Sequence, residues 1–171
     1  MAHPDYVYGG DSSLGRVADD VALIELDQPI LLPSVHPFAI AATPSAGDVV
    51  GVVSYAQDRA DNPSLQQKCS VTDKQEGILV MTCDVDFGSS GAPVFQMKDG
   101  VAQVVSVISA KAEVEGKRVA LGSALQIPLA KLLDELQAAD GARGNLAHVQ
   151  ILSGGLSGGA KFIKPEATDT P

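Results

Sequence analysis

The chain contains no tryptophan, and aromatic residues make up only 4% of its 171 positions. A core must therefore be assembled from Val, Leu, Ile and Ala. Their short, β-branched runs, with 17 glycines and 10 prolines between them, favour a strand-dominated fold over a helical bundle. No stretch approaches the roughly 20 consecutive apolar residues of a membrane-spanning helix, so no membrane association is expected. The opening Met-Ala-His-Pro-Asp lacks a basic region followed by an apolar one and does not read as a signal peptide. Basic clusters are missing as well. The nearest, Lys111 to Arg118, is interrupted by Glu113 and Glu115, and the formal net charge is -9. Nucleic acid is thereby excluded as an expected partner, because binding it depends on neutralising phosphates. With only two cysteines, Cys69 and Cys83, no metal site is implied, since such sites want more ligands in closer pairs. In an exported protein the two would form a small cross-strand disulfide, worth about 3 kcal/mol in the chain-entropy model.

What is present is a series of short strand signals. Val21 to Leu26 (Val-Ala-Leu-Ile-Glu-Leu) reads as a mostly buried strand, stopped by Asp27-Gln28-Pro29. Val49 to Tyr55 follows, with Gly51 marking a bulge or a close approach. Further strands are expected near 67–72, 78–83, 92–97, 101–109 and 118–125, with Lys98-Asp99-Gly100 as a tight turn. This spacing predicts an antiparallel sandwich or barrel. One helix stands out, because Leu129, Leu132, Leu133 and Leu136 fall on one face after Pro128, with a stop near Gly141. From about residue 153 the glycine-rich tail has no periodicity and reads as flexible.

The chemistry concentrates in Asp84-Val-Asp-Phe-Gly-Ser-Ser-Gly-Ala-Pro93. A serine hydroxyl needs a base within reach and donors aimed at the oxygen that becomes negative. Gly88 and Gly91 let the backbone turn sharply, so that successive N–H groups converge. A Gly-Ser-Ser-Gly turn is common between strands, and only its context distinguishes this one. It lies about 70 residues after Asp20-Val-Ala-Leu-Ile-Glu-Leu26 and runs into the strand Val94-Phe95.

In that context Gly88-Ser-Ser-Gly-Ala-Pro93 resembles the Gly-Asp-Ser-Gly-Gly-Pro signature of trypsin/chymotrypsin-like serine peptidases, in the form of bacterial, V8-like members. Asp20 to Leu26 resembles the family's Asp-Ile-Ala-Leu-Leu-x-Leu. The resemblance covers roughly residues 1–140. It implies an all-β, chymotrypsin-like double β-barrel with one C-terminal helix, and peptide-bond hydrolysis of a polypeptide substrate through an acyl-enzyme, without a cofactor. Ser90 would be the nucleophile, Asp20 the residue that orients the base, with Asp19 its neighbouring rival. The N–H groups of Gly88 and Ser90 would form the oxyanion hole. Asp84 and Ser109 would belong to the specificity pocket, and Cys69 and Cys83 would be bonded. The family also implies a secreted or periplasmic location.

The pattern breaks at the histidine. The family's base lies tens of residues before the aspartate, and no such segment precedes Asp20 here. His3, in His-Pro-Asp-Tyr, resembles the stretch that follows the family's histidine. His36 and His148 lie at unsuitable positions. The expectation is therefore an N-terminally truncated peptidase, with 1–42 a remnant of the first barrel, 43–140 a complete second barrel with its closing helix, and 141–171 an extension. Such a chain would be inactive alone. The alternative is a non-catalytic homologue that binds proteins.

Overall fold

A computed structural model describes residues 1–8, 14–57 and 60–143. Helix α1 spans Leu14–Ala18 and strand β1 spans Ala39–Ile40. Six longer strands follow: β2 (Val49–Ser54), β3 (Ser64–Gln75), β4 (Ile78–Met81), β5 (Pro93–Lys98), β6 (Val101–Val114) and β7 (Lys117–Ala124). Helix α2 (Gln126–Arg143) completes the described elements. The strands pair antiparallel in the circuit β2-β3-β4-β7-β6-β5 and back to β2, a closed six-stranded barrel that leaves no open edge among its own strands. The protein is mostly β with a C-terminal helix, as the composition implies.

Local sequence explains the circuit. Three of its hairpins close through two-residue loops, Glu76-Gly77, Asp99-Gly100 and Glu115-Gly116, each with positive φ at both positions. That is the type I′ turn, whose twist matches the strands it joins. Gly51 meets both of its expectations. The β2–β3 register shifts between Val50 and Val52, and a Cβ at Gly51 would come within 3.0 Å of the Gln66 and Gln67 carbonyl oxygens. Val50, Val52, Val71, Leu79, Met81, Val94, Val105 and Ile108 fill the barrel interior. A disulfide joins Cys69 of β3 to Cys83, just beyond β4, at the start of the segment that leads to Ser90.

One expectation is corrected. Val21 to Leu26 is not a buried strand. Ala22 forms a single isolated bridge with Ala2, and Ile24 is 87% exposed. Its nearly continuous apolar run suits a buried strand, but beyond residues 1–3 no described strand lies alongside it. Helix α2 begins two residues before Pro128 and continues through Gly141. Of its leucine stripe only Leu132 is fully buried, so the helix lies shallowly on the barrel. The segment before the barrel docks on it: Val17 and Ala18 pack against Ile78, Val119 and Leu121, and β1 runs parallel to β6. The extension beyond Arg143, His148 included, lies outside the described residues. No helix among the described residues is long and apolar enough to cross a membrane.

Candidate functional site

The segment between β4 and β5 folds into two consecutive tight turns. Ser89 N–H donates to the Asp86 carbonyl at 3.0 Å and Ala92 N–H to the Ser89 carbonyl at 3.0 Å. Gly88 and Gly91 occupy the third position of each, with φ of 87° and 79°, as a type II turn requires. Gly88 is doubly constrained, because a Cβ there would stand 3.0 Å from the Tyr55 carbonyl oxygen. Ser89, buried, turns its hydroxyl inward, where it accepts from Asp86 N–H at 3.4 Å. Ser90 is left exposed. The N–H groups of Gly88 and Ser90 make no hydrogen bond among the described residues.

Ser90 sits beside Ser109 because the loop is stitched to β6. Gly91 N–H donates to the Ile108 carbonyl at 2.7 Å, and Ile108 N–H to the Ala92 carbonyl at 2.9 Å. Strand β6 bulges at this point: Ile108 pairs with Gly122 and Ala110 with Leu121, leaving Ser109 as the extra residue. A bulge re-aims the side chain it carries. Ser109 Oγ donates to Asp20 Oδ2 at 2.6 Å, while the Ser109 carbonyl accepts from Ser90 Oγ at 3.5 Å. One bulged residue thus touches both Ser90 and Asp20, which are 70 positions apart in the chain. Asp20 is held from β7 too. The buried Ser123 hydroxyl donates to the Val17 carbonyl and lies 3.5 Å from that of Asp20.

The remaining candidates lie elsewhere. Asp84 is exposed, and its N–H donates to Gln66 Oε1 at 2.8 Å. Asp86, closer to the turns, accepts from Lys111 Nζ at 2.6 Å. This hydrogen bond, with a second from Phe87 N–H, holds its carboxyl below the usual carboxylate range. The same ammonium stands 3.9 Å from the centre of the Phe87 ring. His3 is buried, with Nδ1 3.5 Å from Asp19 Oδ1, so it pairs with the neighbour of Asp20 and not with Asp20 itself. His36 is exposed on the segment between Leu26 and β1. Among the described residues His3 forms no hydrogen bond or ion pair with Ser90 or Asp20.

Sequence reasoning missed Ser123, and it did not foresee the hydrogen bond from the Ser109 hydroxyl to Asp20. No local signal marks Ser123, because its contacts with the Val17 and Asp20 carbonyls depend on where β7 is placed. No protein-family model matches the chain, and no curated protein is similar to it.

Proposed function

We propose that this chain carries the nucleophile and the orienting acid of a serine endopeptidase, and that its general base comes from other polypeptide. The observation that carries this reading is the double role of Ser109, whose hydroxyl binds the Asp20 carboxylate while its carbonyl receives the Ser90 hydroxyl. An aspartate earns a place beside a nucleophile by orienting an imidazole between them. The unbonded N–H groups of Gly88 and Ser90 suit an oxyanion that would develop on a substrate carbonyl attacked by Ser90. Hydrolysis would then pass through an acyl-enzyme on Ser90 Oγ, its proton passing to the supplied base and on to the leaving amine. In this reading the exposed apolar stretch from Ile24 to Ile40 packs against further β-structure, completing a double barrel of chymotrypsin type. The Cys69–Cys83 bond is in keeping with an oxidising compartment, secreted or periplasmic.

The test supplies the base from solution. Free imidazole is added to the purified chain with an activated ester, and hydrolysis is compared between the parent and Ser90→Ala. A positioned general base contributes ~100-fold or more, so even poor positioning should give a several-fold, Ser90-dependent rise. Equal imidazole-dependent rates in the two proteins would sink the proposal. The same exposed stretch favours a second reading, a non-catalytic homologue that binds proteins through it, and that reading predicts those equal rates.

A further inference from the structure

On the α2 side of Asp19, residues 1–3 pair with 21–23 through Met1–Leu23 and His3–Val21 hydrogen bonds, and this brings the first residues of the chain against the α1 end. The consequence is a cluster of unlike ligands. His3, Asp5 and Asp19 present one nitrogen and two carboxylate oxygens, all within 4.8 Å of one another. They line a cleft of about 610 Å³ whose other walls include Thr43, Glu76 and Lys131. His3 is only 4% exposed, yet it reaches this cleft. Its Nδ1 lies 3.3 Å from the Asp5 backbone nitrogen and 3.5 Å from Asp19 Oδ1, on the side of the ring that faces both acids.

We propose that His3, Asp5 and Asp19 bind one divalent transition-metal ion of zinc type, with the cleft supplying water as the fourth ligand. An imidazole with two carboxylates selects this class over calcium or magnesium, which prefer oxygen-only shells. The His3 Nδ1–Asp19 Oδ1 separation of 3.5 Å is already near the ~3.4 Å edge of a tetrahedron with zinc-like bond lengths. Asp5 is the ligand that must move. It is exposed, and rotation of its side chain closes the remaining gap. Lys131 Nζ now donates to Asp5 Oδ2, occupying this carboxylate with a cation. Metal and ammonium therefore compete. Binding would fasten the first residues of the chain to Asp19, immediately beside Asp20, and it does not depend on Ser90 being a nucleophile.

Calorimetric titration of the purified chain with Zn²⁺, and visible spectra with Co²⁺, test the site. One ion per chain is expected, with a four-coordinate Co²⁺ spectrum. Asp5→Asn and Asp19→Asn should each weaken binding by ~10-fold or more, and Lys131→Met should tighten it several-fold by removing the competitor. Both carboxylates are at least partly exposed, so these variants are expected to fold. Absence of saturable binding at millimolar Zn²⁺ would overturn the proposal. So would binding that both Asn variants retain within about twofold, which would put the ion on other residues such as His36 or His148.

Discussion

The barrel and the segment that precedes it are both rich in Val, Leu and Ile, yet they end in opposite environments. Within the barrel, Leu79 and Met81 have no exposed surface. In the stretch from Ile24 to Ile40, Ile24, Leu26, Ile30, Leu31, Leu32, Val35, Phe38 and Ile40 are all exposed, Leu31 by 83%. Hydrophobicity alone does not account for the contrast. Barrel strands find antiparallel neighbours on both sides, whereas residues 24–38 make no ladder hydrogen bond among the described residues. Strand pairing accounts for this contrast: the barrel runs have ladder partners to pack beside, and residues 24–38 have none among the described residues.

Core truncation should separate the two regions most. Leu79→Ala should cost about 2–5 kcal/mol, through lost transfer energy and the cavity it leaves. Ile24→Ser should change stability by less than ~0.5 kcal/mol and improve solubility. Urea denaturation of both variants checks this, and a large loss in Ile24→Ser would show that the stretch is buried in solution. Next in size is the bond between Cys69 and Cys83. Replacing both by Ser should cost about 3 kcal/mol, seen as a lower urea midpoint. A midpoint unchanged after reduction would mean that the unfolded chain already keeps this loop closed, leaving the bond little entropy to remove.

The smallest effect concerns surface charge, and it touches both regions. Asp86 pairs with Lys111 in the barrel, and Asp5 pairs with Lys131 across the N-terminal cleft. Both carboxyls are held below their usual value of 3.8 by these lysine hydrogen bonds. A depressed folded pKa means that the contribution is fully present above about pH 4 and is lost as pH falls through the folded value. Lys131 is raised above 10.5 by the same bond to Asp5, so its share persists below that pH and disappears as pH climbs past the folded value. Thermal midpoints should therefore be insensitive to these pairs between pH 5 and 9 and decline in acid. Lys111→Ala and Lys131→Ala should flatten the acid limb only slightly, because the pairs are solvent-screened.

The barrel strands were legible in the sequence because each apolar run is bounded by its own turn chemistry. Asp99-Gly100 announced a hairpin, and the two Glu-Gly loops form the same turn without being anticipated. The Ser90 loop was legible as a turn for a similar local reason, since its glycines sit where positive φ is needed. Residues 21–26 were misread because an apolar run reports what a strand would bury in a sheet and carries no information on whether a partner strand exists. The links from Asp20 to Ser109 and to Ser123 span 89 and 103 positions, and both depend on where β6 bulges and how β7 pairs. A register is a property of two strands, and neither strand's residues state it alone.

The closure of the barrel rests on a short seam. Strands β2 and β5 meet through just two residue pairs, Gly51 with Phe95 and Val52 with Val94. Strand β5 begins three residues after Ser90, and β2 runs directly into Tyr55 and Gln57, the backbone against which Gly88 is pressed. The seam therefore works like the jaw of a clamp whose tips are the two sides of the Ser90 loop. A slip of one residue there would advance one tip past the other by about 3.3 Å and turn Val52 and Val94 away from the interior. The tight packing of those two valines thus sets the alignment of the loop.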